Sequence, residues 1–308
     1  MDNLPKTWDD WIENFKAWQD NVGYDRYAAA RIMAEEQRHG WQMAYLLMTY
    51  FGQQGRREAQ KLLERNAQDG DRLLGAFNRP MPHWLDFFCY TMFVDRDGKF
   101  QLGMLSTSAF KPLAASMGPM LKEESFHLGT GSNGLRRIIK AGVIPLDMLQ
   151  RYINKWVSTA HDLFGVDESS SAHWAYVWGI KGRWDERKKL EGDVEVSKET
   201  LNEEARQHYH EEIVAEVKKL CGYLPEGAAD LYVPHENFHR EIGHFKRQRY
   251  TVEGTLFEGS DDEWDAYMAA HLPTAQDEED LKELFKQQWV AEKPMTARQI
   301  ASGIGASA

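Results

Sequence analysis

YDRYAAARIMAEEQRHGWQMAYLLMTYF (residues 24–51) and PLAASMGPMLKEESFHLGTGSNGLRRIIKAG (residues 112–142) each repeat apolar residues at helical spacing, and each breaks its stripe with a glutamate and a histidine three apart. In the first, Ile32, Met43, Leu47 and Tyr50 continue the stripe that holds Glu36 and His39. In the second, Met117, Met120, Leu128 and Leu135 continue the stripe of Glu124 and His127. Residues three apart on a helix share a face, so both pairs present a carboxylate beside an imidazole on a face that should be buried. A buried carboxylate with no partner costs several kcal/mol and is normally paired or metal-bound. Hard carboxylate oxygens with neutral imidazoles suit iron, and two such pairs facing each other form the di-iron site of ferritin-like bundles. The competing reading is a set of buried Glu–His or Glu–Arg contacts, with Arg38 or Arg136 as counter-charge.

A third stripe behaves alike. In WLDFFCYTMFVDRDGKFQL, Leu85, Phe88, Met92, Asp95 and Leu102 align, with Asp95 in the middle. Asp97 lies about 160° round an ideal helix from Asp95, so the two cannot face the same core. Asp95 is the better ligand candidate; pairing with Lys99 or Arg96 is the alternative. Periodicity predicts helices over 7–20, 24–51, 55–66, 82–108, 112–142, 145–164 and 197–221, an all-α, ferritin-like bundle with additional helices. Residues 1–221 read as the helical domain. Residues 222–308 read as a loop-rich extension wrapping it, with a short hairpin, an acidic stretch over 259–282 and a disordered tail, ASGIGASA.

The chain has 308 residues, 42% of them hydrophobic, enough for a continuous core. A net charge of −11 argues against general nucleic-acid binding. Cys89 and Cys221 cannot make a disulfide framework or a thiolate zinc site. No signal peptide or membrane-length apolar run is visible, so a cytoplasmic location is expected by default. His235 and His239 have the spacing of helical ligands, but a preceding proline and a loop setting weaken that reading. His208 and His210 read as solvated.

The stretches over residues 24–65, 73–88 and 93–102, together with HDLFGVDESSSAHWAYVWGIKGR and, more weakly, VPHENFHREIG, closely resemble the oxygenase component of the benzoyl-CoA 2,3-epoxidases, over about 24–245. KEESFH at 122–127 looks instead like the box of the related large subunit of phenylacetyl-CoA epoxidase. The resemblance implies a ferritin-like di-iron monooxygenase that uses two iron ions and dioxygen as co-substrate on an aromatic acyl-CoA thioester. Carried over by position, the metal ligands are Glu36, His39, Asp95, Glu124 and His127, with Glu36, Asp95 and Glu124 central to catalysis. An ungapped match puts Lys6 at the sixth ligand; Glu13, Asp9 and Asp10 are alternatives that lie off the stripe of Trp8, Trp11, Ile12, Phe15 and Trp18. Lys181 and Arg183 of GIKGR could bind CoA phosphates, or form a solvated basic turn. With no GxGxxG turn between a strand and a helix (GTGSNG at 129–134 falls inside a helical stripe) and no cysteine cluster, electrons are expected from a separate reductase. A homodimer is expected by analogy of fold. Rival readings are a carrier-bound or amino-arene substrate, and a non-catalytic scaffold.

Overall fold

The computed structural model describes residues 24–183 and 200–286. The predicted helix over 7–20, every sixth-ligand candidate and the tail lie outside these residues. Helices run over Tyr24–Tyr50 (α1), Gly52–Glu64 (α2), Trp84–Leu105 (α3), Lys111–Ala141 (α4), Leu146–Leu163 (α5), Ser170–Val177 (α6), Leu201–Cys221 (α7), Asp261–His271 (α8) and Ala275–Lys286 (α9). Among the described residues there is no strand, only an isolated antiparallel bridge between Tyr250 and Leu256. The fold is an all-α, ferritin-like bundle.

Helix α3 is the centre. Its sequence is apolar nearly all round, as a helix enclosed by others must be. Phe88, Met92, Phe93 and Phe100 meet Leu135 and Ile138 of α4, Tyr152, Ile153 and Trp156 of α5, and Tyr209 and Ile213 of α7 in one core. The α3–α4 pair is the most extensively packed. Gly134 makes that closeness available, because a Cβ there would fall 2.2 Å from the Phe88 ring. On α1, Asp25 is buried and accepts a hydrogen bond from Arg137 Nη2 of α4 at 2.6 Å, which fixes α1 against α4.

Enclosure of α3 explains three consecutive buried charges. Asp95, Arg96 and Asp97 are all buried, and helical geometry sends them to different neighbours. Arg96 and Lys99 both meet Glu212 of α7, Lys99 Nζ at 2.7 Å. Asp97 accepts from Gln101 Nε2 at 3.3 Å, and burial pushes its carboxyl up to about 8.

The region after 222 contains more helix than the sequence suggested. A capping box of Ser260 and Glu263 opens α8, and its acidic first turn suits the positive helix end. Arg151 of α5 clasps Asp277 of α9 through two hydrogen bonds of 2.9 and 2.7 Å. Leu231 and Leu281 join the main core, and Arg240 pairs with buried Asp162. No helix among the described residues is long and apolar enough to cross a membrane.

Candidate metal centre

Donor atoms of Glu36 from α1, Asp95 from α3, and Glu124 and His127 from α4 all lie within 4.8 Å of one another. His127 is fully buried, with Nδ1 3.3 Å from Glu36 Oε1, 3.4 Å from Asp95 Oδ2 and 3.4 Å from Glu124 Oε2. None of these approaches has hydrogen-bond geometry: Asp95 Oδ2, Glu124 Oε2 and His127 Nδ1 are buried atoms without a partner. Buried polar groups are nearly always satisfied, so three orphans aimed at one another call for a further group between them. The counter-charges that could have explained the carboxylates are engaged elsewhere. Arg38 pairs with Glu123, Arg136 bonds Asn133, and Arg96 and Lys99 hold Glu212.

His39 stands on the other side of Glu36, its Nδ1 3.6 Å from Glu36 Oε2. Glu36 therefore turns one oxygen toward each imidazole.

The outward nitrogens of the two rings are held by a reciprocal pair of contacts that the sequence reading missed. His127 Nε2 lies 2.9 Å from Glu35 Oε2 of α1, and His39 Nε2 lies 2.7 Å from Glu123 Oε2 of α4. Each helix thus uses the residue before its inward glutamate to fix the histidine of the other. A carboxylate on one imidazole nitrogen sets the tautomer and turns the other nitrogen's lone pair inward. The signal was visible as a repeated doublet, Glu35-Glu36 and Glu123-Glu124, four and three residues before each histidine. Tyr90, half-buried on α3, also borders the cluster; burial and the nearby Asp95 hold its hydroxyl well above the usual tyrosine range.

Burial pushes Asp95 up to about 7 and raises Glu124. Glu36 is raised by burial too, but His127 and His39 outweigh it and leave the carboxyl at about 2. Burial would lower His127, yet Asp95, Glu124 and Glu36 drive it up to about 12. Burial also opposes the charge on His39, and Glu36 and Glu123 reverse that. Three carboxylates against one imidazolium leave an excess of negative charge that a cation would neutralise. The donor set is carboxylate and imidazole with no thiolate, which fits iron.

The five residues expected as ligands thus come together, four in one cluster and His39 beside it. Lys181 lies on the turn after α6. The turn after α6 is pinned by hydrogen bonds from Ala109 N to Gly179 O and from Gly182 N to Met104 O. That draws Lys181 inward, where Nζ donates to Asn202 Oδ1 at 2.7 Å and burial lowers the ammonium to about 8. Arg183 is half-buried and has contacts of its own. His210 is likewise not solvated, because it stacks on fully buried His161. His235 Nδ1 accepts from Asn237 N, and neither His235 nor His239 joins three metal donors among the described residues.

Residues 28–254 match the family model described as "Phenylacetic acid catabolic protein". The chain is 37% identical over 297 residues to benzoyl-CoA oxygenase component B of Aromatoleum evansii, covering 82% of this chain and 62% of that one. It is 26% identical to one of the subunits of 1,2-phenylacetyl-CoA epoxidase of Escherichia coli (strain K12), covering 56% and 51%. The chain thus spans less than two thirds of the length of either relative. With the family model matching most of its length, the chain belongs to the phenylacetic acid catabolic protein family.

Proposed function

We propose that this chain is the oxygen-activating component of a di-iron monooxygenase that adds one oxygen atom to the aromatic ring of an acyl-CoA thioester. The observation that carries the reading is the trio of buried, unpartnered atoms on Asp95, Glu124 and His127 beside Glu36. Glu36, Asp95, Glu124, His39 and His127 would hold two iron ions, which supply the redox capacity to activate dioxygen. The names of the two relatives support an aromatic acyl-CoA as substrate.

The chain's own residues do the positioning. Glu35 and Glu123 hold the two imidazoles with Nδ1 facing inward. Glu36 lies between them, and α3 and α4 keep bulk water from Asp95, Glu124 and His127, all buried. Exclusion of water strengthens electrostatic interactions there and protects reactive species from side reactions. The balance is one dioxygen, two electrons and two protons per turnover, one oxygen atom entering the ring and the other leaving as water. The described residues hold no thiolate cluster to carry those electrons: Cys89 is buried and Cys221 lies far from it in sequence. A separate reductase would deliver them, in keeping with the word "component" in one relative's name.

The test is turnover. Iron-loaded protein, a low-potential electron donor, benzoyl-CoA and 18O-labelled dioxygen should give a product carrying one labelled oxygen atom by mass spectrometry. Absence of labelled product with phenyl acyl-CoA thioesters, from protein shown to carry iron, would refute the assignment.

A further inference from the structure

Among the described tryptophans, Trp156 of α5 alone is fully buried, and a single ring separates it from the metal centre. Tyr90 of α3 borders the cluster, its hydroxyl beside Asp95 and within the fields of Glu36 and Glu124. The Tyr90 ring meets the Trp156 ring edge-on, with centroids 5.3 Å apart. Trp156 in turn donates its Nε1 hydrogen to Asp86 Oδ1 at 2.7 Å, and Lys155 Nζ holds the same oxygen at 2.7 Å. The Lys155 ammonium also lies 4.5 Å from the centroid of the Trp156 ring. Asp86 is buried in the first turn of α3, where the helix end favours a carboxylate. A tie between α3 and α5 accounts for a hydrogen bond here, since a buried indole N–H normally finds an acceptor. It does not account for a charged acceptor, which costs more to bury than a neutral one. Nor does it account for placing that acceptor behind the ring in touch with Tyr90.

An indole is among the side chains most readily oxidised by one electron. A phenyl ring is not, and Phe126, the ring beside His127, also carries the Arg31 guanidinium 3.9 Å from its centroid, which opposes positive charge there. We propose that Trp156 is a one-electron outlet for the metal centre: with no aromatic substrate bound, an electron passes from its indole, across the Tyr90 ring, to the iron pair oxidised by dioxygen. This rests on the di-iron reading above and extends it. Lys155 over the ring opposes a radical cation, so loss of the electron is accompanied by transfer of the Nε1 proton to Asp86. Trp156 is left as a neutral indolyl radical, with its electron on the iron pair. The uncompensated positive charge stays on Lys155, whose side chain is 15% exposed, rather than on a buried ring. An external one-electron donor, which the monooxygenase cycle already needs, restores the indole while Asp86 returns the proton. The outlet discharges an oxidising equivalent that would otherwise attack the iron ligands.

The test is electron paramagnetic resonance on iron-loaded, pre-reduced protein, mixed with dioxygen in the absence of substrate and frozen at once. An organic radical is expected whose hyperfine splitting changes when the tryptophans are ring-deuterated and not when the tyrosines are. Isotopic labels leave the sequence unaltered, so a folding defect cannot mimic that result. Trp156→Phe should abolish the signal, with circular dichroism as the check on folding. Asp86→Asn removes the proton acceptor and should sharply lower the yield of radical. A radical on tyrosine, a tryptophan radical that survives Trp156→Phe, or a full yield in Asp86→Asn overturns the inference. So does the absence of any organic radical while the iron spectrum responds to dioxygen, and each of these leaves the oxygenase reading in place. A Trp156 radical in protein that gives no oxygenated product would keep the outlet and remove the oxygenase assignment. Protein that binds no iron overturns both.

Discussion

Replacing Glu35 by alanine removes the carboxylate behind His127 and should weaken iron binding at the cluster without disturbing the fold. Glu35 Oε2 lies 2.9 Å from His127 Nε2, and Arg31 Nε holds the same carboxylate at 2.8 Å, so the clamp is itself anchored. Loss of such a partner typically costs a metal site about 10–100-fold in affinity, or about 1.4–2.7 kcal/mol. Exposure decides which end of that range applies. His127 is fully buried, so Glu35→Ala leaves its Nε2 proton with no ready replacement and falls at the upper end. The opposite clamp is wetter: Glu123 is 22% exposed and His39 12%, so water can replace the lost oxygen and Glu123→Ala falls at the lower end. Glu35→Gln keeps a neutral acceptor and should lose less than about tenfold. Competition with a chromophoric chelator for ferrous iron measures all three, with circular dichroism as the check on folding. Unchanged iron affinity in Glu35→Ala, or a larger loss in Glu123→Ala than in Glu35→Ala, would show that the carboxylates do not set the imidazoles as argued.

Gly134→Ala should destabilise the protein by about 1–3 kcal/mol, because the new methyl meets the Phe88 ring and overpacking outweighs the helix-propensity gain of up to about 1 kcal/mol. Gly129→Ala, with nothing within 4 Å of the new methyl, should be neutral or stabilising, and chemical denaturation compares the two. His83 caps α3 by accepting Asp86 N–H at Nδ1, which leaves Nε2–H facing Tyr152 Oη at 2.9 Å, and burial with Lys155 and Lys282 nearby lowers its pKa to about 3. A histidine neutral in the folded state but protonated in the unfolded one loses stability as pH falls from about 6.5 toward 3, by roughly 2 kcal/mol between pH 7.5 and pH 5. Asparagine preserves a capping acceptor without titrating, so His83→Asn should shrink the gap in Tm between those pH values relative to wild type; an unchanged gap refutes the assignment.

How much of this was legible from sequence follows from where each signal lives. The ferritin-like helices were readable because buried stripes recur at 3.6 residues, and polar interruptions at Glu36, Asp95, Glu124 and His127 stand out against them. Glu35 and Glu123 were present as doublets, but one position off the stripe reads as solvent-facing until the other helix is placed alongside. Helix α8 has no buried residue, so it left no stripe; its signals were the Ser260 capping box and the acidic first turn. The inward placement of Lys181 was not legible, because a basic turn in a sequence carries no information about which way backbone hydrogen bonds will fold it. The His161–His210 contact joins residues far apart in the chain, and a stripe analysis of either helix alone cannot reveal it.

The most direct measurement is the iron content of protein produced with iron supplied, beside the Glu36→Ala and Glu124→Ala variants. The account predicts about two iron ions per chain in the unaltered protein, as for a carboxylate-bridged pair, and their joint loss in each variant. A folded, unaltered protein that takes up no iron under those conditions would contradict it.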